Sequence, residues 1–295
     1  MVGFRTYIVN FVRSHGEQLF AGNPVLLNHH NPGIMVTVKI GKHTVEMYDA
    51  IDELPVARFH KYQKLLLVDA GIGADITAFD QRIEKTRRFL LGAKPDQAQK
   101  ELANLRHCVW MIQNGITPKN KAFAALVTKI DGREYPDCSD DMMEQITDIL
   151  KDVPIKDLTA QLEAVKKKID AELMLYFPVL FNDATVKEYY DILKSRTMAI
   201  LNNIIAGLEY PDATPEVENL TTALITYNKP QLFSGPESVE IQFDRQFENL
   251  CLALSEQLHV QPKNYTVLEF YNAFDFLIDR AKKAEKAQKR PNSRR

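Results

Sequence analysis

The chain has 295 residues, 45% of them hydrophobic and 26% charged, which is enough for one large or two ordinary globular domains with a real core. With 12 glycines and 14 prolines, this composition excludes a collagen-like or largely disordered protein. The net charge of −2 gives no general attraction to nucleic acid or membranes. The three scattered cysteines, Cys108, Cys138 and Cys251, form neither a disulfide framework nor a zinc-ligand spacing, and they favour a reducing compartment.

The N-terminal 50 residues are predicted to be β-rich. Residues 34–40 alternate between apolar and other side chains and are rich in β-branched residues. Gly41-Lys42 is predicted to form a two-residue turn, and residues 43–48 to form the second strand of a hairpin. Glycine at the first turn position favours a type II′ hairpin. A further strand is predicted over residues 6–12. No run reaches the roughly 18 apolar residues that a membrane span needs, and residues 1–18 do not form a convincing signal peptide.

Helices are predicted to dominate after Asp52, which can cap a helix that has Pro55 in its first turn. This helix is expected to cover residues 53–70, and the next one to start at Asp75 or Thr77. Further helical segments are predicted from Pro95 through Trp110 and over residues 123–130, followed by a loop at 131–136.

From Ser139 onward the chain is predicted to contain six helices. A short one starts near Ser139, and a long one has a single apolar seam formed by Leu158, Leu162, Val165, Ile169, Leu173 and Tyr176. A third helix covers about 185–208, and a fourth runs to about Tyr227. A fifth carries the apolar stripe Phe243, Phe247, Leu250, Leu254 and Leu258. The last begins with a Thr266–Glu269 capping box, with Val267, Phe270, Phe274, Leu277, Ile278 and Ala281 on its apolar face.

The predicted fold class is therefore mainly α (α+β), with a small N-terminal β-hairpin element followed by a multi-helix domain. We expect a β-rich element at 1–50, a helical domain at 51–228, a C-terminal helical segment at 229–279 packed on it, and a basic tail at 280–295. Residues 228–236 contain two prolines, a glycine and a serine, which makes them the best linker candidate.

The stretch DAGIGAD, residues 69–75, is the first that suggests chemistry. A dinucleotide-binding loop needs a strand before it and a longer glycine pattern, whereas a helix is predicted here. Gly71 suits the end of one helix and Asp75 the start of the next, so a helix–turn–helix connection is favoured over a phosphate loop.

Other candidate sites have ordinary structural explanations. His29 and His30 would point to opposite faces of a strand, so a surface loop is favoured over a metal site. His60 is expected to be a hydrogen-bonded histidine at the edge of the core, and Cys108 and Cys251 small buried side chains. The sequence predicts no catalytic residues, no metal and no cofactor, and it favours a protein that is not an enzyme over an enzyme of unknown type.

The C-terminal tail is the strongest charge feature. It holds eight basic residues against one acid, Glu285, a net charge of +7 that leaves −9 on the remaining chain. These side chains could contact phosphates or an acidic partner, although a solubilising end explains them equally well. The candidate contact residues are Arg280, Lys282, Lys283, Lys286, Lys289, Arg290, Arg294 and Arg295.

The segment YDAIDELPVARFHKYQKLLLVDAGIGADITAFD, residues 48–80, resembles part of uncharacterised structural proteins of tailed bacteriophages, the crAss-like phages of gut bacteria among them. In those proteins a short hairpin is followed by a similar helix and a similar glycine turn. Residues 265–271 have a similar character. With the hairpin, the resemblance covers less than a fifth of the chain, and it carries no functional residue.

The resemblance implies a virion or assembly component, such as a head, connector or tail-associated subunit that is assembled in the host cytoplasm. Its expected partners are other virion proteins and copies of itself, with non-specific DNA contact through the tail. An alternative hypothesis is a cytoplasmic regulator or nucleic-acid-binding module that uses the tail.

Overall fold

A computed structural model describes residues 35–68, 77–114, 117–181 and 184–288. These residues form eleven α-helices, one short 3-10 helix and a four-stranded sheet, which confirms the prediction of a mainly α fold with a small β element. The strands are β1 (Val36–Ile40), β2 (His43–Met47), β3 (Val127–Ile130) and β4 (Arg133–Glu134). The first helices are α1 (Val56–Val68), α2 (Thr77–Leu91), α3 (Pro95–Gln113), α4 (Pro118–Leu126) and α5 (Asp140–Ile149). The later ones are α6 (Ile155–Tyr176), α7 (Pro178–Phe181), α8 (Ala184–Ile205), α9 (Pro215–Ile225), α10 (Val239–Leu258) and α11 (Val267–Gln288).

The described residues group into two compact units. Helices α2, α3, α8 and α9 belong to the first, which we call the helical unit, together with the following segment to residue 242. Residues 35–68, 118–181 and 243–288 belong to the second, which we call the sheet unit. Each unit therefore combines segments that are distant in sequence. The boundaries proposed from composition, at residues 50, 228 and 279, stay predictions.

The predicted N-terminal hairpin is confirmed. Strands β1 and β2 pair antiparallel, with Ile40 opposite His43 across a two-residue turn. Gly41 has φ of +58°, as the first position of a type II′ turn requires. The sheet then continues in the order β1-β2-β3-β4, all antiparallel. The expected strand at 6–12, His29-His30 and DAGIGAD all lie outside the described residues.

Two elements near residue 130 differ from the prediction. Helix α4 ends at Leu126, and the chain enters strand β3 at the next residue, so the expected helix over 123–130 was wrong beyond 126. Asp131 and Gly132 both have positive φ, +51° and +86°, which is the signature of a type I′ hairpin turn. The expected loop at 131–136 therefore contains a turn and strand β4. β-branched Val127, Thr128 and Ile130 before an Asp-Gly pair are the physical reason.

Arg58 of helix α1 stabilises the junction at which helix α4 continues directly into strand β3. This arginine is buried, and its guanidinium donates to the carbonyl oxygens of Ala125 at 3.2 Å, Val127 at 2.9 Å and Tyr135 at 2.7 Å. The last carbonyls of a helix have no partner within the helix, so Arg58 satisfies groups that the abrupt helix end leaves open. A cation at a helix C-terminus also complements the helix dipole.

The long seam of α6 forms one wall of the core of the sheet unit. Leu158, Leu162, Val165, Ile169 and Leu173 are buried as predicted. Tyr176, expected to continue the seam, is 58% exposed because the helix ends there. Phe177, the next residue, is buried instead and packs against Tyr271 of α11, with 5.7 Å between ring centroids.

Helices α1 and α11 begin side by side. Backbone hydrogen bonds join Val56 N–H to the Tyr265 carbonyl and Val267 N–H to the Leu54 carbonyl, both at 2.9 Å. The predicted capping box is confirmed, since the Glu269 carboxylate accepts from Thr266 N–H at 2.9 Å and the Thr266 hydroxyl from Glu269 N–H at 3.3 Å. The predicted apolar face of α11 is also buried, at Val267, Phe270, Phe274, Leu277, Ile278 and Ala281.

We expect Arg58→Met to lower the free energy of unfolding by about 3–5 kcal/mol, because three buried carbonyl groups lose their donor at once. Arg133→Met is the matched control, since the guanidinium of that exposed residue donates only to an exposed side chain, Gln145, at 2.9 Å among its described hydrogen bonds. The control should cost less than about 1 kcal/mol. Urea denaturation measures both values, and equal stability of the two variants would contradict the assignment.

Candidate interaction surface

Helices α8 and α9 form a hairpin whose connection is fixed by hydrogen bonds. Gly207, with φ of +73°, ends α8, and its N–H donates to the Ile204 carbonyl at 3.0 Å while Leu208 N–H donates to the Asn203 carbonyl at 3.1 Å. The Asn203 side chain then donates to the Thr214 hydroxyl at 3.0 Å, just before α9. The two helices are therefore held at a defined angle by their connection.

One side of α8 is used for packing on α9. Ala199 of α8 and Val217 of α9 are buried, and the Arg196 side chain donates to the Thr221 hydroxyl at 2.8 Å. The rings of Tyr189 and Tyr227 meet edge to face, with centroids 5.6 Å apart. This side of the helix is fully explained by contacts within the helical unit.

The opposite side of α8 carries apolar residues that are exposed to solvent. At about 100° per residue, five of them fall within an arc of roughly 120°, which is one face of the helix. Two more follow in the connection to α9, and Ile205 is the most exposed, at 84%. We call this set the α8 stripe: Tyr190, Met198, Leu201, Ile204, Ile205, Leu208 and Tyr210.

The α8 stripe is large for a monomer surface. Its seven residues are each at least 45% exposed, and at roughly 200 Å² per large side chain they leave about 800 Å² open to solvent. The largest apolar patch of a typical monomer is about 300–600 Å², whereas one side of a standard protein–protein interface covers about 800 Å². The exposed area is thus on the scale of a binding surface.

The sequence contained a signal for this surface that the prediction did not use. Between residues 190 and 205, apolar side chains occur on both sides of the predicted helix, at Ile192, Ile200 and Ala199 as well as along the stripe. A helix that is apolar on two sides has more apolar surface than one packing contact can cover. The neighbouring helix that covers only one side is visible only in the structure.

The predicted basic tail is described in part. Arg280, Lys282 and Lys283 lie on helix α11, the first half-buried and the other two exposed. Arg280 and Lys283 are neighbours on the helix surface because they are three residues apart. Lys286 lies in the same helix but its side chain is not described, and Lys289, Arg290, Arg294 and Arg295 lie outside the described residues.

His60 is held in an aromatic sandwich. Its ring stacks between Phe243 and Phe247, with centroid distances of 4.5 and 4.1 Å, and its Nε2 lies 2.8 Å from the Asp244 carboxylate. Lys64 donates to the other oxygen of Asp244 at 3.0 Å. Burial lowers the pKa of His60 and outweighs the opposing effect of Asp244. The expectation of a hydrogen-bonded histidine at the edge of the core is confirmed.

A second histidine also makes a structural contact. The Nδ1 atom of His43 lies 2.6 Å from the carboxylate of Asp131, whose other oxygen accepts from Thr44 N–H at 2.8 Å. This carboxylate joins the start of β2 to the turn between β3 and β4. Cys108 and Cys251 are buried, as predicted. Within the described ranges, no three His, Cys, Asp or Glu residues are grouped to hold a metal ion.

The comparisons with known proteins add no relative. No protein-family model matches the chain, and no curated protein or solved structure matches it either. A membrane-spanning helix is also absent from the part of the chain that the structure describes, where every helix is too short or too polar.

We expect the free energy of unfolding to decrease on acidification below about pH 6.5, partly through His60. Its folded-state pKa is lower than the unfolded value of about 6.5, so the unfolded chain takes up the proton first. The contribution of His60 to the free energy of unfolding is full above the unfolded pKa, and it falls as the pH decreases from about 6.5 towards the folded pKa. His60→Gln should flatten this part of the curve.

Urea denaturation at pH 7, 6 and 5 measures the effect. His259→Asn is the control, because His259 is exposed and has φ of +54°, which asparagine also tolerates. The control should keep the pH dependence of the wild type. If His60→Gln loses as much stability on acidification as the wild type does, the assignment to His60 is wrong.

Proposed function

We propose that this chain is a structural or assembly subunit of a tailed bacteriophage particle, which acts through protein–protein contacts at the α8 stripe. The exposed apolar area of this stripe, about 800 Å², is the observation that carries the proposal. The resemblance of residues 48–80 to structural proteins of tailed phages supplies the setting. Head, connector and tail-associated positions are all compatible with it.

The occupant of the α8 stripe in this proposal is a second copy of the chain. Five of the seven stripe residues lie on one face of α8, and a face of this kind can pair with itself across a two-fold axis without any second patch. One lysine, Lys194, lies among its apolar residues, and neighbouring Asp191 offers an opposite charge that could pair with Lys194 of another copy. The area on each side matches what a stable dimer of standard size uses.

The basic residues of the C-terminal tail have a compatible role in a particle. Lys282 and Lys283 are exposed on α11, in the sheet unit, whereas the α8 stripe belongs to the helical unit. One chain can therefore carry a subunit contact and a phosphate contact on different units. The tail would contact packaged DNA or an acidic neighbour through charge alone, since it contains no aromatic side chain for base stacking.

Self-association is tested by Ile205→Asp. A carboxylate placed in the centre of an apolar contact should raise the dissociation constant at least tenfold, corresponding to about 1.4 kcal/mol or more. Asn202→Asp is the matched control, because Asn202 is exposed on the same helix outside the stripe. Sedimentation velocity over a range of concentrations measures the change.

Both substitutions place a carboxylate at an exposed position in the last turn of α8, where it opposes the helix dipole, so we expect each to change the stability of the folded monomer by less than about 1 kcal/mol. Equal sedimentation of wild type and Ile205→Asp, with both of them associated, would place the contact elsewhere.

The role in a particle is tested by composition. Purified phage particles from a host that produces this chain should contain it as a stoichiometric component, measured by quantitative peptide mass spectrometry. Presence of the chain in the infected lysate but not in particles purified on a density gradient would contradict a virion role.

A further inference from the structure

The helical unit contains a cleft of about 800 Å³ that the proposed function does not use. Small-molecule sites in proteins have volumes of about 300–1,000 Å³. Two residues of α2, two of α3, Glu188 of α8 and the segment after α9 line the cleft. All of these residues belong to the same compact unit.

The floor of the cleft is a buried carboxylate with two cations. Glu101 of α3 has a side chain that is only 2% exposed, and its two oxygens lie 3.0 Å from the Lys85 ammonium and 3.1 Å from the Arg82 guanidinium. Lys85 and Arg82 themselves are about one-fifth exposed and line the cleft. Lys85 and Arg82 therefore share the carboxylate of Glu101.

The rim of the cleft is fixed rather than loose. The Asn104 side chain donates to the Gln231 carbonyl at 2.7 Å and accepts from Phe233 N–H at 2.9 Å, which ties the segment after α9 to α3. The Phe233 ring lies under the Arg82 guanidinium, 5.1 Å from its centroid. The segment predicted as a linker is therefore a defined wall of this cleft.

Two further charged residues, Lys229 and Glu188, line the cleft. Lys229 lies on the rim, is exposed, and has no carboxylate within ion-pair distance in the described part of the chain. Glu188 accepts a hydrogen bond from the Tyr227 hydroxyl at 3.0 Å. Among the described residues that line the cleft, the charged side chains are those of Arg82, Lys85, Lys229, Glu101 and Glu188.

We propose that this cleft binds a small organic anion, with its carboxylate or phosphate group between Lys85 and Lys229. Lys85 is partly buried and shares one carboxylate with Arg82, so a bound anion would supply it with a further counter-charge in a site where water screens charges poorly. Such a ligand would also satisfy ammonium donors that Glu101 alone does not use. This inference is independent of the proposed assembly role.

Isothermal titration calorimetry at low ionic strength tests the proposal with two probes, inorganic phosphate and citrate, which distinguish the two anion types. Lys85→Met should weaken binding about tenfold, because it removes the ammonium group that would contact the anion. Glu101→Gln should strengthen binding, because it removes the carboxylate that competes with the ligand. Lys94→Met, at an exposed lysine just before α3, is the matched control and should bind as the wild type does.

The opposite effects of Lys85→Met and Glu101→Gln separate binding from folding, since a purely structural ion cluster would be damaged by both. Lys229→Met, on the exposed rim, provides a second weakening variant that does not disturb the floor. Binding of neither probe at millimolar concentration, or equal loss in Lys85→Met and Glu101→Gln, would overturn the proposal.

Discussion

The buried guanidinium of Arg58 is the constraint on which the sheet unit depends. Helix α4 ends at Leu126 and strand β3 begins at Val127. No loop lies between them whose residues could donate hydrogen bonds to the unpaired carbonyl groups at the helix end. Arg58 of helix α1 donates hydrogen bonds there, and its third hydrogen bond goes to the carbonyl oxygen of Tyr135, just after β4. The placement of β3 beside β2 therefore depends on a residue nearly 70 positions earlier. Without that placement the N-terminal hairpin would have no third strand, and a lone hairpin is only marginally stable.

Most of the fold could be predicted where a local physical signal sufficed. The Thr266–Glu269 capping box, the Gly41 turn and the period of the α6 seam each specify an element within a few residues, and the structure contains all three. The region at 127–134 was mispredicted because Ala- and Leu-rich residues before it favour helix, and the β-branched run is only four residues long. The predicted burial of Tyr176 was wrong for a different reason. The helix ends at this residue, so the ring of Phe177 is buried instead, although the helical period favours Tyr176.

The candidate surface could not be predicted in the same way, because exposure depends on which neighbour covers each helix face. The sequence shows that α8 is apolar on two sides, but only the packing of Ala199 against α9 shows which side remains open. The cleft in the helical unit could not be predicted from the sequence either, because Lys85, Glu101 and Lys229 come from three separate segments. Charge counting in sequence identified the C-terminal tail and could not identify a cluster assembled by folding. The proposed assembly role thus rests on a surface, and the resemblance of residues 48–80 supplies the biological setting of that proposal.

The most direct measurement is light scattering coupled to size-exclusion chromatography on nuclease-treated protein at low and high salt. Burial of the α8 stripe is an apolar contact, which salt does not weaken, whereas contacts of the basic tail are lost as salt screens them. We expect an assembly whose mass is a multiple of 33.7 kDa and is the same at both salt concentrations. A monomer of 33.7 kDa under both conditions at high protein concentration would contradict self-association through α8. An assembly that dissociates at high salt would assign the contact to the charged tail instead.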